Sequence, residues 1–191
     1  GSEMCIRDSK GVTPEKEWQT LYEAMMHART NVHPGVSSTG RLGHEYYNRL
    51  GYIPYDVKIN ENVARTLEYA YDDYAVALLA DALGDGANRD MLMKRTSNYK
   101  NLFDPSTGLM RGRLDDGSWI TPFDDQYPYY EYMYREANAW QQAFFAPHDT
   151  EGLIGLFPSR EAFGEQLDKL FSIPWKGYEV DNLSGFIGQY C

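Results

Sequence analysis

The clearest periodic signal lies between Asn60 and Leu83, in "NENVARTLEYAYDDYAVALLADALGD". Val63, Leu67, Ala70, Tyr74, Ala77 and Leu78 recur at the three- and four-residue intervals of one helix face, and Gly84 supplies a stop. A second amphipathic helix is predicted from about Arg89 to Asn101. Upstream, "PEKEWQTLYEAMMHART" places Trp18, Leu21, Tyr22 and Met25 at helical spacing behind Pro14, with Thr13 as N-cap. Pro and Gly then interrupt the pattern over "NVHPGVSSTGRLGHEYYNRLGYIPYD", which predicts a long surface loop with a short helical turn near Glu45. Further helices are expected over 137–145, 150–157, 160–171 and 182–190. Between them, "FDPSTGLMRGRLDDGSWITPFDD" carries Asp-Pro, Thr-Gly and Asp-Asp-Gly turn chemistry; it admits a small β-hairpin within what is mostly a connection. Helix, Gly/Pro loop and helix alternate without an internal repeat. The pattern predicts an all-α fold, built as an array of helical hairpins or a toroid of helix pairs.

Composition narrows the function. At 191 residues with 42% hydrophobic positions, the chain can bury the core of a globular domain. A net charge of −10 argues against nucleic acid, whose phosphates need a basic stripe. No apolar run approaches a membrane span. Cys5 and Cys191 lie at the extreme ends and form no disulfide framework or metal-type spacing. Aromatics reach 15%, with 16 Tyr and 4 Trp. They fit a ring-rich core, or a carbohydrate cleft in which flat rings stack on sugars while amides and hydroxyls read sugar hydroxyl groups. The start, "GSEMCIRDSK", lacks the apolar segment of a signal peptide. Its "MCIRDS" reads like a translated sequencing adapter, so residues 1–9 are expected to be a non-native leader and 10–191 the domain itself.

Several chemistries have no motif here. His27, His33, His44 and His148 make no zinc pair, and there is no GxSxG elbow or phosphate-cradling glycine loop. "FDPSTGLMRGR" and "DDGSW" miss the acid spacing of a calcium loop. Asp72 and Asp73 point about 100° apart on their helix, so one can face inward while the other meets solvent. What remains is "YREANAWQQAFFAPHD", from Tyr134 to Asp149. Glu136 there is either a solvated charge favoured at a helix start, or a proton donor whose protonated form is held by surrounding rings. His148-Asp149 is a helix-start cap or a substrate contact.

Taken in order, "GYIPYD", "TLEYAYDDYAVALLADALG", "NYKNLFDPSTGLMRGR", "EANAWQ", "PHDTEGLIGL" and "EAFGEQLDKLF" resemble the catalytic domain of glycoside hydrolase family 92, over roughly 12–190. The resemblance implies part of an (α/α)6 toroid that is joined to an N-terminal β-sandwich in the family. It also implies a calcium-dependent, exo-acting α-mannosidase that inverts the anomeric centre and acts on α-mannoside glycans, in a secreted or periplasmic setting. Glu136 maps onto the general acid of the family's Glu-Gly-Asn-x-Trp block, matched by Asn138 and Trp140. Ala137 replaces the usual Gly, and Gln142 stands where Tyr is common. Asn138, Trp140, Gln141, His148, Asp149 and Asp72 are the substrate-binding candidates. The family's calcium block, His-Gly-Asn-Glu-Pro, would follow "GQY", which leaves Gln189 as the candidate nearest that block. The general base belongs to a later block, so this chain is expected to be an inactive internal fragment of an active enzyme. The competing expectations are a non-catalytic helical carbohydrate-binding module and another (α/α)6 glycosidase.

Overall fold

A computed structural model describes residues 14–33, 36–127 and 132–177. A 3-10 turn (Glu15–Glu17) leads into α1 (Trp18–Ala28), followed by the strands β1 (Val32–His33) and β2 (Val36–Gly40) and by α2 (His44–Leu50). After a second 3-10 turn (Tyr55–Val57) come α3 (Asn62–Ala82) and α4 (Gly86–Arg95). A third 3-10 turn (Asn98–Leu102) joins α4 to β3 (Phe103–Asp104) and β4 (Leu109–Met110). The short helices α5 (Ala139–Gln142) and α6 (Thr150–Ile154) precede α7 (Arg160–Ser172). Both strand pairs are antiparallel hairpins, pairing His33 with Val36 and Phe103 with Met110.

The order of the elements centres on α3, which is buried on several sides. Val63, Leu67 and Ala70 enter the main core with Tyr99, Leu102, Met110, Met133, Tyr134, Trp140, Leu153 and Leu170. Farther along, Val76, Ala77 and Ala80 pack on Tyr22 of α1 and Leu92 of α4. Tyr69 faces a third cluster with Tyr47 and Ile53, its ring edge-on to Tyr47 at 5.6 Å. A helix with apolar neighbours on more than one face is a core helix rather than a surface one.

The turn between α3 and α4 follows from its residues. Gly84 takes a left-handed φ of 77°, which a side chain would resist. Asp85 then caps α4, accepting from the Asn88 backbone N–H at 3.1 Å and from the Tyr22 hydroxyl at 2.8 Å. The predicted hairpin near 103–110 is present. Gly108 closes its turn at φ 69°, where a β-carbon would press on Gln166 and Phe157.

The helical fold matches the periodicity, with corrections. The 31–56 stretch contains a β-hairpin and the seven-residue α2, because two short strands of Val, Ser and Thr leave no hydrophobic alternation to detect. Helix α4 stops at Arg95 and continues as a 3-10 turn, and α5 spans Ala139–Gln142 rather than 137–145. Leu78, assigned to the buried face of α3, is 52% exposed. The helix expected over 182–190 lies outside the described residues.

Candidate functional site

The N-terminus of α3 has no side-chain cap, and Glu61 before it takes a left-handed φ of 55°. Its free N–H groups go instead to a neighbouring segment: Asn62 donates to the Tyr132 carbonyl at 3.1 Å and Ala64 to the Met133 carbonyl at 2.9 Å. The same segment is pinned from its other side. Met133 and Tyr134 are fully buried, and the Tyr134 hydroxyl donates to the Met110 carbonyl at 2.7 Å. The chain then surfaces at Arg135 and Glu136 and returns to the interior through Ala137, Asn138, Ala139 and Trp140.

Glu136 therefore sits on a short turn fixed at both ends. Its backbone is left-handed, with φ 51°. That conformation costs a residue with a side chain about 1–2 kcal/mol and is typically retained at functional positions. Ala137, by contrast, is not among the left-handed positions, so its side chain carries no such strain. The Glu136 side chain is 59% exposed, with Arg135 Nε 3.7 Å away. Another Arg135 nitrogen lies 2.5 Å from Glu61, which also pairs with Arg65 at 3.1 Å. The enclosure by rings expected around Glu136 is not found among the described residues; the carboxylate projects outward.

Trp140 is buried and donates from its indole nitrogen to Asp125 at 3.1 Å. It lines a cleft of about 480 Å³ with Leu109, Phe123, Asp124, Asp125 and Lys176. Lys176 bridges Asp124 at 2.8 Å and Asp125 at 3.2 Å. The hydrogen bond to Asp124 holds its ammonium above the usual lysine range, with Asp125 adding to the effect. Rings beside paired charges are the surface a polar, ring-shaped ligand requires. Sequence reasoning missed Asp124, Asp125 and Lys176, because "FDD" followed by Gln is indistinguishable from turn chemistry and Lys176 lies some fifty residues away.

The other candidates fall into structural roles and separate places. Asn138 and Gln141 form a reciprocal capping box on α5. The Asn138 side-chain oxygen accepts from the backbone of Trp140 at 3.0 Å and Gln141 at 3.2 Å, while Gln141 Oε1 accepts from the Asn138 N–H at 2.8 Å. Among the described residues, the Gln141 side-chain nitrogen is buried without a hydrogen-bond partner. His148 Nε2 lies 2.8 Å from the Thr96 carbonyl, which makes that nitrogen the donor, and its ring sits among Tyr71, Tyr74 and Tyr99. Asp149 caps α6 through the Gly152 N–H at 3.0 Å, and also receives the Tyr99 hydroxyl at 2.9 Å and the Lys100 ammonium at 3.0 Å. Burial pushes the Asp149 carboxyl up, but Lys100 and Tyr99 outweigh it and hold it below the usual range. Asp72 is half-exposed beside Arg41 at 3.5 Å, about 15 Å along α3 from the helix start near Glu136. Its inward-facing neighbour Asp73 is completely buried.

Among the described residues, no group of three His, Cys, Asp or Glu side chains is placed to hold a metal ion; Gln189 lies outside them. Also among the described residues, no helix is long and apolar enough to cross a membrane.

Comparison with known proteins places these features in context. Residues 5–191 match the family model of the glycosyl hydrolase family 92 catalytic domain. A solved inverting mannosidase of that family from Bacteroides thetaiotaomicron is 34% identical, with a TM-score of 0.77 over 85% of this chain and 21% of its own. An α-mannosidase of the family from the same bacterium is 32% identical, with a TM-score of 0.80 over 95% of this chain and 23% of its own. The latter has also been solved with mannoimidazole, and that structure gives a TM-score of 0.77 at 33% identity. A relative from Arthroderma benhamiae, described as an uncharacterized secreted glycosidase, is 28% identical over 223 residues, covering all of this chain and 29% of its own length. The chain thus spans less than a third of each of these relatives.

Proposed function

The chain belongs to glycosyl hydrolase family 92, and from that premise we propose that it carries the proton-donating half of an α-mannosidase active site, with Glu136 as the general acid. The observation that carries this reading is the Glu136 turn: an exposed carboxyl in a left-handed conformation, anchored by buried Met133 and Tyr134 on one side and Ala137 to Trp140 on the other. A general acid must reach out to the glycosidic oxygen yet hold its position to within a fraction of an ångström. An exposed side chain on a fixed backbone meets both requirements.

In the proposed reaction, the Glu136 carboxyl gives its proton to the departing oxygen of a terminal α-mannoside as the C1–O bond breaks. Its conjugate carboxylate is then reprotonated from solvent. A second carboxylate, about 6.5–9.5 Å away across the sugar, takes a proton from water, and that water attacks C1 from the opposite face and inverts it. We assign this base to residues outside the described ones. Calcium dependence belongs to the same proposal, with ligands outside the described residues, and no step above is routed through the ion. Trp140 and the adjoining Asp124, Asp125 and Lys176 supply a wall with ring and charge suited to a saccharide. The secreted description of the fungal relative supports an extracytoplasmic setting for the parent enzyme.

Proton NMR of methyl α-mannoside or aryl α-mannoside hydrolysis by the full-length polypeptide tests the reading. The β-anomer of mannose should appear first and mutarotate later, and a calcium chelator should suppress its release. Initial release of the α-anomer would exclude the inverting mechanism, and hydrolysis of glucosides alone would exclude the substrate.

A further inference from the structure

Midway along α3, the buried Asp73 carboxylate meets three arginines from three other parts of the fold. Arg29, after α1, approaches through Nε at 3.3 Å; Arg41, between β2 and α2, at 2.5 Å; and Arg95, ending α4, through Nε at 3.0 Å. Arg29 and Arg41 are 7% and 6% exposed. A second acid, Asp72, is half-exposed and reaches Arg41 at 3.5 Å. Guanidinium groups keep their charge inside proteins. Among the described residues, these three arginines thus face the two aspartates with one more positive than negative charge, in a place where charge is poorly solvated. Burial pushes Arg29 below its usual range, and the repulsion of Arg95 and Arg41 adds to it against the pull of Asp73.

The hydrogen bonds show where the missing negative charge belongs. Arg29's terminal nitrogens meet two thioethers, Met26 at 3.6 Å and Met91 at 3.7 Å. Arg95 reaches the same Met91 sulfur at 3.9 Å. Thioether sulfur is a weak acceptor, whereas a guanidinium fork matches an oxyanion with paired, short, charge-assisted bonds. Met91 is 36% exposed on α4, and its unbranched side chain can swing into solvent. Its sulfur thus occupies the position between two guanidinium groups that an anion would fill better.

We propose that Arg29 and Arg95 form a binding site for a compact tetrahedral oxyanion, phosphate or sulfate, which enters by displacing the Met91 side chain. Arg41 remains engaged with Asp73 and with the Tyr69 ring, 4.9 Å from its guanidinium carbon. Asn48, whose amide oxygen accepts from Arg95, marks the exposed rim. The site shares no residue with the Glu136 turn and does not depend on the mannosidase assignment.

The test is a phosphate titration of the full chain at fixed ionic strength. It follows the thermal midpoint and the rate at which phenylglyoxal labels Arg95 relative to Arg160, whose side chain is 66% exposed. The site predicts a saturable rise in midpoint and a saturable slowing of Arg95 labelling, with sulfate acting in the same way. Met91→Ala, which empties the position, should lower the half-effective phosphate concentration several-fold. Arg95→Gln, which leaves Arg29 and Arg41 on Asp73, should abolish the response. Phosphate that changes neither the midpoint nor the labelling of the unaltered chain overturns the proposal, as does a response that Arg95→Gln retains in full.

Discussion

Glu136 occupies a backbone conformation that glycine adopts freely and other residues resist. This gives a prediction specific to the position. Replacing an ordinary residue with glycine lowers stability through the greater freedom of the unfolded chain. At Glu136 the relief of left-handed strain opposes that loss, so Glu136→Gly should leave the thermal midpoint unchanged or raise it. Ala139→Gly, in right-handed helix three residues on, should lower the midpoint through a loss of roughly 1 kcal/mol of stability. Paired melting curves check this, and a marked destabilisation by Glu136→Gly would show that the turn is unstrained. The identity of Glu136 as a candidate acid was legible in the sequence from the resemblance of "EANAWQ". The strain was not, because nothing in the sequence announces a positive φ on Glu. Asn138 and Gln141 show the opposite ambiguity. Amides three residues apart suit both sugar hydroxyls and a capping box, and the fold commits their oxygens to the cap.

Among the elements, the aspartates of one helix start and one hairpin turn carry the clearest chemistry. The Asp149 cap of α6 and the Asp104 turn between β3 and β4 are both held below the ordinary carboxylate range. In each case burial pushes the group up and is outweighed by donors: Lys100 and Tyr99 for Asp149, Ser106 and Arg111 for Asp104. A depressed folded value stabilises fully above the unfolded value and is lost as pH falls through the folded one. Both contributions should therefore be intact at neutral pH and decline below the ordinary aspartate value of 3.8. Thermal melts at decreasing pH should show an acid decline that is shallower in Asp149→Asn and Asp104→Asn, each of which starts from a lower midpoint at neutral pH. An unchanged acid slope in both variants would remove these two groups from the acid sensitivity. Long helices with a repeating apolar face, α3 and α7, were legible nearly to the residue. The β1–β2 hairpin was not, since its short strands depend on pairing rather than on a hydrophobic pattern.

For the whole molecule, the main departure from a pattern-based view is long-range charge. Asp73 joins α3 to Arg29 and Arg41, which lie 44 and 32 residues away in sequence. From "YDDY" it was clear only that the two acids diverge. Which one turns inward is decided by three arginines that no local pattern links to them. The all-α class, the α3–α4 hairpin and the family were legible. The cleft beside Trp140 was not, because it is assembled from residues around 107, 124, 140 and 176.

The central claim is that Glu136 donates the proton to the leaving group, and leaving-group dependence tests it most directly. In the full-length enzyme, Glu136→Gln should slow hydrolysis of α-mannobiose by on the order of 10²–10⁴-fold. Its rate on 2,4-dinitrophenyl α-mannoside, whose leaving group needs no proton, should fall far less. A loss equal on both substrates, or no loss on either, would contradict the assignment of Glu136 as the acid.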